Sequence, residues 1–180
     1  MRSLTEDLLG LAAAQAFGGA EAVVSTLAAQ LTALAPFSSG EVVLTTGGEW
    51  RCWPLREGDR CLAGEELLDW LCGRGRLLRV DQPAQLPLPE TRRRLAARGY
   101  SSVLASPFGG AGAARGALIL YHRRGWAFAG VSIRRLAPLT LMLGHCMGSA
   151  LRHEELMREN QKLRAEPFPP RSGNRLDSDT

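Results

Sequence analysis

Two runs of strand-forming residues on either side of a glycine-rich turn constrain this chain most. Residues 101–108 and 115–122, the second with an apolar core over 117–121, flank Gly109, Gly110 and Gly112, a pattern that predicts a hairpin. A first hairpin is predicted upstream. The β-branched residues Val42, Val43, Thr45 and Thr46 make 41–46 a strand, Gly47-Gly48 supplies the turn, and 49–55 alternates as its antiparallel partner. One more strand is expected over 76–81.

Helical spacing surrounds the strands. Leu4, Leu8 and Leu11 predict an amphipathic helix over 4–17 with acidic Glu6 and Asp7 near its start. Gly18-Gly19 punctuates it. A second helix follows over 21–34 on Val23, Val24, Leu27, Leu31 and Leu34, and stops before Pro36. Short helices are expected over 64–72, ended by Gly73 and Gly75, and over 90–98 after a proline-rich connection, ended by Gly99. From Ser132 to about Glu166 the pattern is helical throughout, with Pro138 tolerable in a first turn and a source of a kink elsewhere. Residues 167–180, with Pro167, Pro169, Pro170 and Gly173, read as a disordered tail, so 1–166 forms one domain.

The chain has 180 residues, 45% of them hydrophobic and 22% charged, which fits one core in an ordinary globular protein. The apolar run 136–150 is broken by Pro138, Gly144, His145 and Gly148 and is too short to cross a bilayer. The acidic start is the reverse of a secretory leader, so a cytoplasmic protein is expected. Its formal charge is +4, but Lys162 is the one lysine among 22 basic residues and the arginines are spread along the chain. That usage reads as a GC-rich bacterial coding bias and argues against nucleic acid as a partner. Cys52, Cys61, Cys72 and Cys146 lack C-x-x-C pairing and are expected as free thiols, mostly packed, without a metal.

The order helix, helix, strand, strand, short helix, strand, short helix, strand, strand, long helix resembles that of a GAF domain. The stretch that carries most of the resemblance is SSVLASPF, a glycine-rich turn and ARGALILYHRRGWAF, which is similar to that family's central hairpin. RRLAPLTLMLGHCMGSALRHEEL is similar to its closing helix. The resemblance implies an α+β, profilin-like fold: an antiparallel sheet with the N- and C-terminal helices on one face and short helices and loops over the other, roofing a ligand cavity. The roof would be 64–72 and 83–99, and Trp53, Trp70, Arg79, Tyr100, Ser102 and His122 are the expected liners of a small-molecule site, or else ordinary core and surface residues.

Known ligand signatures of the family are missing. The N-K-x-x-x-F-x-x-x-D-E pattern of cyclic-nucleotide binders is not found, and His145-Cys146, adjacent as a bilin carrier would need, sits on the closing helix, where core packing explains it. Free methionine sulfoxide reductases are small GAF proteins with catalytic thiolates; GDRCLAG at 58–64 places Cys61 only loosely like their glycine-rich cysteine stretch. With no nucleophile elbow, phosphate loop or metalloprotease helix, a non-enzymatic reading is favoured and any cofactor stays unspecified.

A heptad that starts at Leu139 puts Leu139, Met142, Cys146, Ser149, His153, Leu156, Asn160 and Leu163 on one seam of the long helix. Asn160 between Leu156 and Leu163 favours a parallel two-stranded pair, with Glu159 and Arg164 able to pair across it. The expected function is a sensory or regulatory module of bacterial signalling that forms a homodimer and acts on a protein partner, with or without a small ligand. A structural adaptor without ligand, and a reductase using Cys61, are the alternatives.

Overall fold

A computed structural model describes residues 4–46, 48–109 and 115–165. Strands β1 (Ser39–Thr46), β2 (Glu49–Pro54), β3 (Leu78–Val80), β4 (Ser102–Phe108) and β5 (Arg115–His122) form one sheet in the order β2-β1-β5-β4-β3, with every neighbouring pair antiparallel. Helix α1 (Leu4–Leu31) and helix α4 (Ile133–Ala165) come from the two ends of the chain; α2 (Glu65–Arg74), a 3-10 turn (Pro83–Gln85) and α3 (Pro89–Ala97) come from the middle. The α+β architecture implied by the resemblance is the one observed.

The pleat sends alternate side chains to opposite faces, and here both faces are dry. Val42 and Leu44 of β1, Leu104 of β4, and Leu118 and Leu120 of β5 join Val23, Leu27 and Leu31 of α1 and Leu139, Leu143 and Met147 of α4 in one core. On the other face Val43, Val103, Ala105, Ala117, Ile119 and Tyr121 meet Leu67, Leu68 and Leu71 of α2, Leu95 of α3, and Leu86 and Leu88 before it. Each fully buried leucine of this kind contributes about 1.5–3 kcal/mol of hydrophobic stabilisation.

The two N-terminal helices expected from the sequence are two arms of α1. Gly19 breaks it with φ 69° and ψ −164°, a conformation that a residue with a Cβ resists. The arms fold back on each other: Gln30 donates to the Asp7 carbonyl at 2.7 Å, and Gly10 faces Gln30 and Thr26. The bend rests on α4, where Glu154 accepts from the Ala20 amide at 3.4 Å and Ser149 accepts from Gln15 at 2.9 Å. Glu154 thereby caps the second arm.

Of the two places left open for Pro138, the one observed is inside α4, past its first turn. One expectation changes: the seam expected from Leu139 faces inward over its first half, where Leu139 and Cys146 are buried and Met142 packs on the core, because this part of α4 covers the sheet. From His153 outward the seam is open: Leu156 and Leu163 are 57% and 69% exposed, and His153 and Asn160 are exposed beside them. The tail expected from Pro167 and the glycines Gly47, Gly110 and Gly112 lie outside the described residues.

Gly116 is where β1, β4 and β5 meet most tightly. A Cβ there would collide with the Val43 carbonyl and come within 2.6 Å of the Phe108 ring. Gly116→Ala is therefore expected to lower the unfolding free energy by roughly 2 kcal/mol or more. Denaturant titration checks this, and an unchanged midpoint would contradict so close an approach.

Candidate functional site

Strand β1 carries one acidic side chain into the apolar layer beneath the roof. Glu41 is 1% exposed, and its neighbours on that face of the strand are Ser39 and Val43. A carboxyl taken out of water needs hydrogen-bond donors, and the segment after β2 bends back to supply them. The Ala63 amide donates to Oε1 at 2.8 Å and the Leu62 amide to Oε2 at 2.9 Å. From β5 the Tyr121 hydroxyl donates to Oε1 at 2.5 Å. Burial pushes the Glu41 carboxyl above its ordinary range, despite the hydrogen bonds from Tyr121, Leu62 and Ala63 that pull it down; the Asp59 charge nearby adds to the rise. Burial, with Glu41 beside it, also keeps the Tyr121 phenol protonated well above its ordinary range.

Cys52 and Cys61 are joined as a disulfide, so the expectation of four free thiols is corrected; Cys72 and Cys146 are the free pair. Cys52 points from β2 to the roof face, and the bend held by Glu41 returns Cys61 to it. Glu41 Oε2 lies 3.1 Å from Cys52 Sγ. Among the described residues, Glu41, Cys52 and Cys61 are the group whose ligand atoms come close enough to share an ion, but two bonded sulfurs offer no thiolate. Asp59 secures the rest of the loop by accepting from Ser39 at 2.8 Å, and Arg56 lies over the Phe37 ring while donating to its carbonyl.

Beside this network opens a cleft of about 710 Å³ between the β1–β2 hairpin, the start of α2 and the start of α3. Trp50, Gly64, Glu65, Glu66, Thr91 and Arg94 are among its walls. Three of its charges are already engaged. Glu66 accepts from the Thr91 amide and hydroxyl at 2.8 and 2.9 Å, capping α3, and the Thr91 amide holds its carboxyl below the ordinary range. Arg94 pairs with Glu90 at 3.1 Å.

The six expected liners are not brought together. Register places Trp53 opposite Val42, Arg79 opposite Leu104 and Ser102 opposite His122, all on the face covered by α1 and α4. Arg79 pairs with Asp81, Ser102 donates to the Arg124 carbonyl, and His122 meets the Phe128 ring edge-on. Trp70 and Tyr100 do lie on the roof side: Trp70 carries Arg74 over its ring and Tyr100 packs on Tyr121. Sequence reasoning missed Glu41, Cys52 and the cleft-lining Trp50 and Arg94. The usable signal was an acid at an inward position of a strand, followed directly by the apolar run Val42-Val43-Leu44.

No family model matches the sequence, and no curated protein matches it. Solved structures to which the chain is similar include several GAF domains. The GAF domain of a phosphoenolpyruvate-protein phosphotransferase from Coxiella burnetii superposes with a TM-score of 0.60 at 14% identity, covering 87% of this chain and 96% of that one. The phycocyanobilin-bound GAF domain of a cyanobacterial phytochrome gives 0.60 at 14% identity, covering 87% and 98%. The N-acylhomoserine lactone dependent LuxR family transcription factor CepR2 from Burkholderia cenocepacia gives 0.54 at 16% identity, covering 82% and 94%. These likenesses establish the fold.

Because its folded value is raised, Glu41 takes up a proton on folding between its ordinary value of 4.5 and that raised value. The stability it contributes is full below the unfolded value and is lost as pH rises through the folded one. Wild type should accordingly gain stability relative to Glu41→Gln as pH falls from neutral into that window. Denaturant unfolding across pH, with the disulfide intact, reads this, and a constant difference between the two proteins would contradict it.

Proposed function

We propose, from the GAF fold as premise, that this chain is a non-enzymatic regulatory module of bacterial signal transduction. It works in the cytoplasm, reads a small molecule at the rim cleft, and passes occupancy along α4 to a second copy of itself and to a signalling partner. The observation that carries this reading is the division of α4. Its first half is fastened to the sheet through Leu139, Leu143 and Met147, while Leu156, Met157 and Leu163 project from the body with 57%, 49% and 69% exposure. Apolar residues at the outer end of a helix that begins in the core favour a pairing surface coupled to the sheet.

The Asn160 amide donates to the Leu156 carbonyl at 3.1 Å within its own helix, which leaves its side-chain oxygen for a partner across the seam. About one heptad is too short to pair unaided, so the outer face of α1, where Leu9 is 64% exposed, belongs to the same proposed interface. The solved likenesses support ligand reading on such a scaffold in general: one holds phycocyanobilin and another depends on an N-acylhomoserine lactone. Those ligands differ in chemistry, so the fold alone selects none.

A second reading, an adaptor without ligand, is favoured by the filled space under the roof, where Leu67, Leu71, Ile119 and Tyr121 are at most 1% exposed. Native mass spectrometry of protein purified from its own host separates the two: a retained small molecule lost in Trp50→Ala supports the sensor, and a bare dimer supports the adaptor. The enzymatic alternative has its own test, since turnover of free methionine sulfoxide that disappears in Cys61→Ser would replace both.

Sedimentation tests the pairing. Wild type should be a dimer at high micromolar concentration, and Asn160→Leu should change its oligomeric state or tighten it. A wild-type monomer would overturn the pairing, and an unchanged Asn160→Leu dimer would take the seam out of it.

A further inference from the structure

We propose that Cys52–Cys61 is a thiol–disulfide exchange site for low-molecular-weight thiols, in which the thiol attacks Cys61 and the Glu41 carboxyl protonates the departing Cys52 sulfur. Three placements carry it. Cys61 is exposed and Cys52 half-buried, so an incoming thiolate reaches the Cys61 sulfur first. Glu41 Oε2 stands 3.1 Å from the sulfur that must leave. The carboxyl's other positions are filled, with Tyr121 and Ala63 on Oε1 and Leu62 on Oε2. A carboxyl has about four lone-pair positions. The one left for a proton faces Cys52.

The step balances as follows. A thiolate RS⁻ attacks Cys61 Sγ; the Cys52–Cys61 bond breaks as the RS–Cys61 bond forms, and the electron pair on Cys52 Sγ takes the proton of Glu41. A second RS⁻ attacks the external sulfur of the mixed disulfide, releasing RSSR, and the Cys61 thiolate is protonated by water. Two thiols are oxidised to one disulfide while the protein disulfide is reduced to two thiols. Glu41, left as a carboxylate, holds Leu62 and Ala63 by charge-assisted hydrogen bonds and accepts from the new Cys52 S–H, then regains its proton from solvent.

This arrangement suits a leaving sulfur that is slow to depart as an anion. Cys52 has a carboxyl beside it and the Asp59 charge near that carboxyl, and among the described residues no basic side chain is hydrogen-bonded to Glu41, so an unprotonated Cys52 would be a poor leaving group. Burial keeps Glu41 protonated above the ordinary carboxylate range, which extends the supply of that proton toward neutral pH. The groups facing Glu41 are Tyr121 from β5, Cys52 from β2, and Asp59 and Cys61 from the loop. Ala63 and Gly64 belong to both the loop and the cleft, so exchange at the disulfide bears directly on the cleft wall.

The test incubates the folded protein with glutathione from about pH 5 to about pH 8 and follows Cys52, Cys61, Cys72 and Cys146 by alkylation and mass spectrometry. Expected are full reduction of the pair without denaturant, a transient glutathione adduct on Cys61, and a rate per thiolate that falls as pH rises through the titration of Glu41. Glu41→Gln should be slower by roughly 10-fold or more at the acid end and lose that fall. Tyr121→Phe removes a donor that favours the ionised carboxyl, so its fall should move to higher pH. A disulfide that opens only in denaturant, an adduct on Cys52, or a Glu41→Gln profile equal to wild type would overturn the proposal. Should Glu41→Gln fail to fold, a Tyr121→Phe profile identical to wild type would overturn it equally.

Discussion

The central strand β5 is dry on both sides, and the rest of the molecule follows from that. Residues 117–121 are each at most 1% exposed, so the sheet needs a cover on each face. The covers come from different parts of the chain. Helices from its two ends close one face, and the segment between β2 and β4 closes the other. Bringing the ends together sets Glu154 on the bend of α1 and makes α4 begin in the core and finish outside it. Fastening the middle segment requires a tie between sheet and roof, and Glu41 supplies it through Leu62 and Ala63.

Much of this architecture was legible in the sequence. The strand at 115–122, the break at Gly18-Gly19 and the short helix after Pro89 were read from turn chemistry and periodicity, which are local. The candidate site was not, and the reason is register. A shift of one residue exchanges the faces of a strand, and in a strand such as RGALILYH, apolar on both sides, no alternation reveals which face is which. Trp53, Ser102 and His122 were accordingly assigned to the roof and lie on the helix side. The disulfide was hidden for a related reason: Cys61 comes nine positions after Cys52, and only the return of the loop onto Glu41 brings them together. Leu139 was misjudged as seam because heptad spacing looks alike whether the helix faces a second chain or its own sheet.

The structure also moves the question of what the fold reads. Between sheet and roof the space is occupied by the chain's own leucines and by Tyr121, while open volume lies at the rim, against Trp50 and the starts of α2 and α3. A carboxyl of β1, a disulfide from β2 and a cleft therefore meet against one loop, the segment between β2 and α2. On the proposed reading, that loop, rather than a cavity inside the core, is where an external chemical signal would meet the part of the protein that supports α4 through the sheet.

Native-state amide hydrogen exchange tests most directly whether the roof is an integral layer and not a lid. If the roof leucines and β5 share one core, the slowest amides of α2 and β5 exchange with the same free energy, that of global unfolding. Exchange of α2 and α3 through a far cheaper opening, while β5 stays protected, would contradict the account and return the space beneath the roof to the list of binding sites.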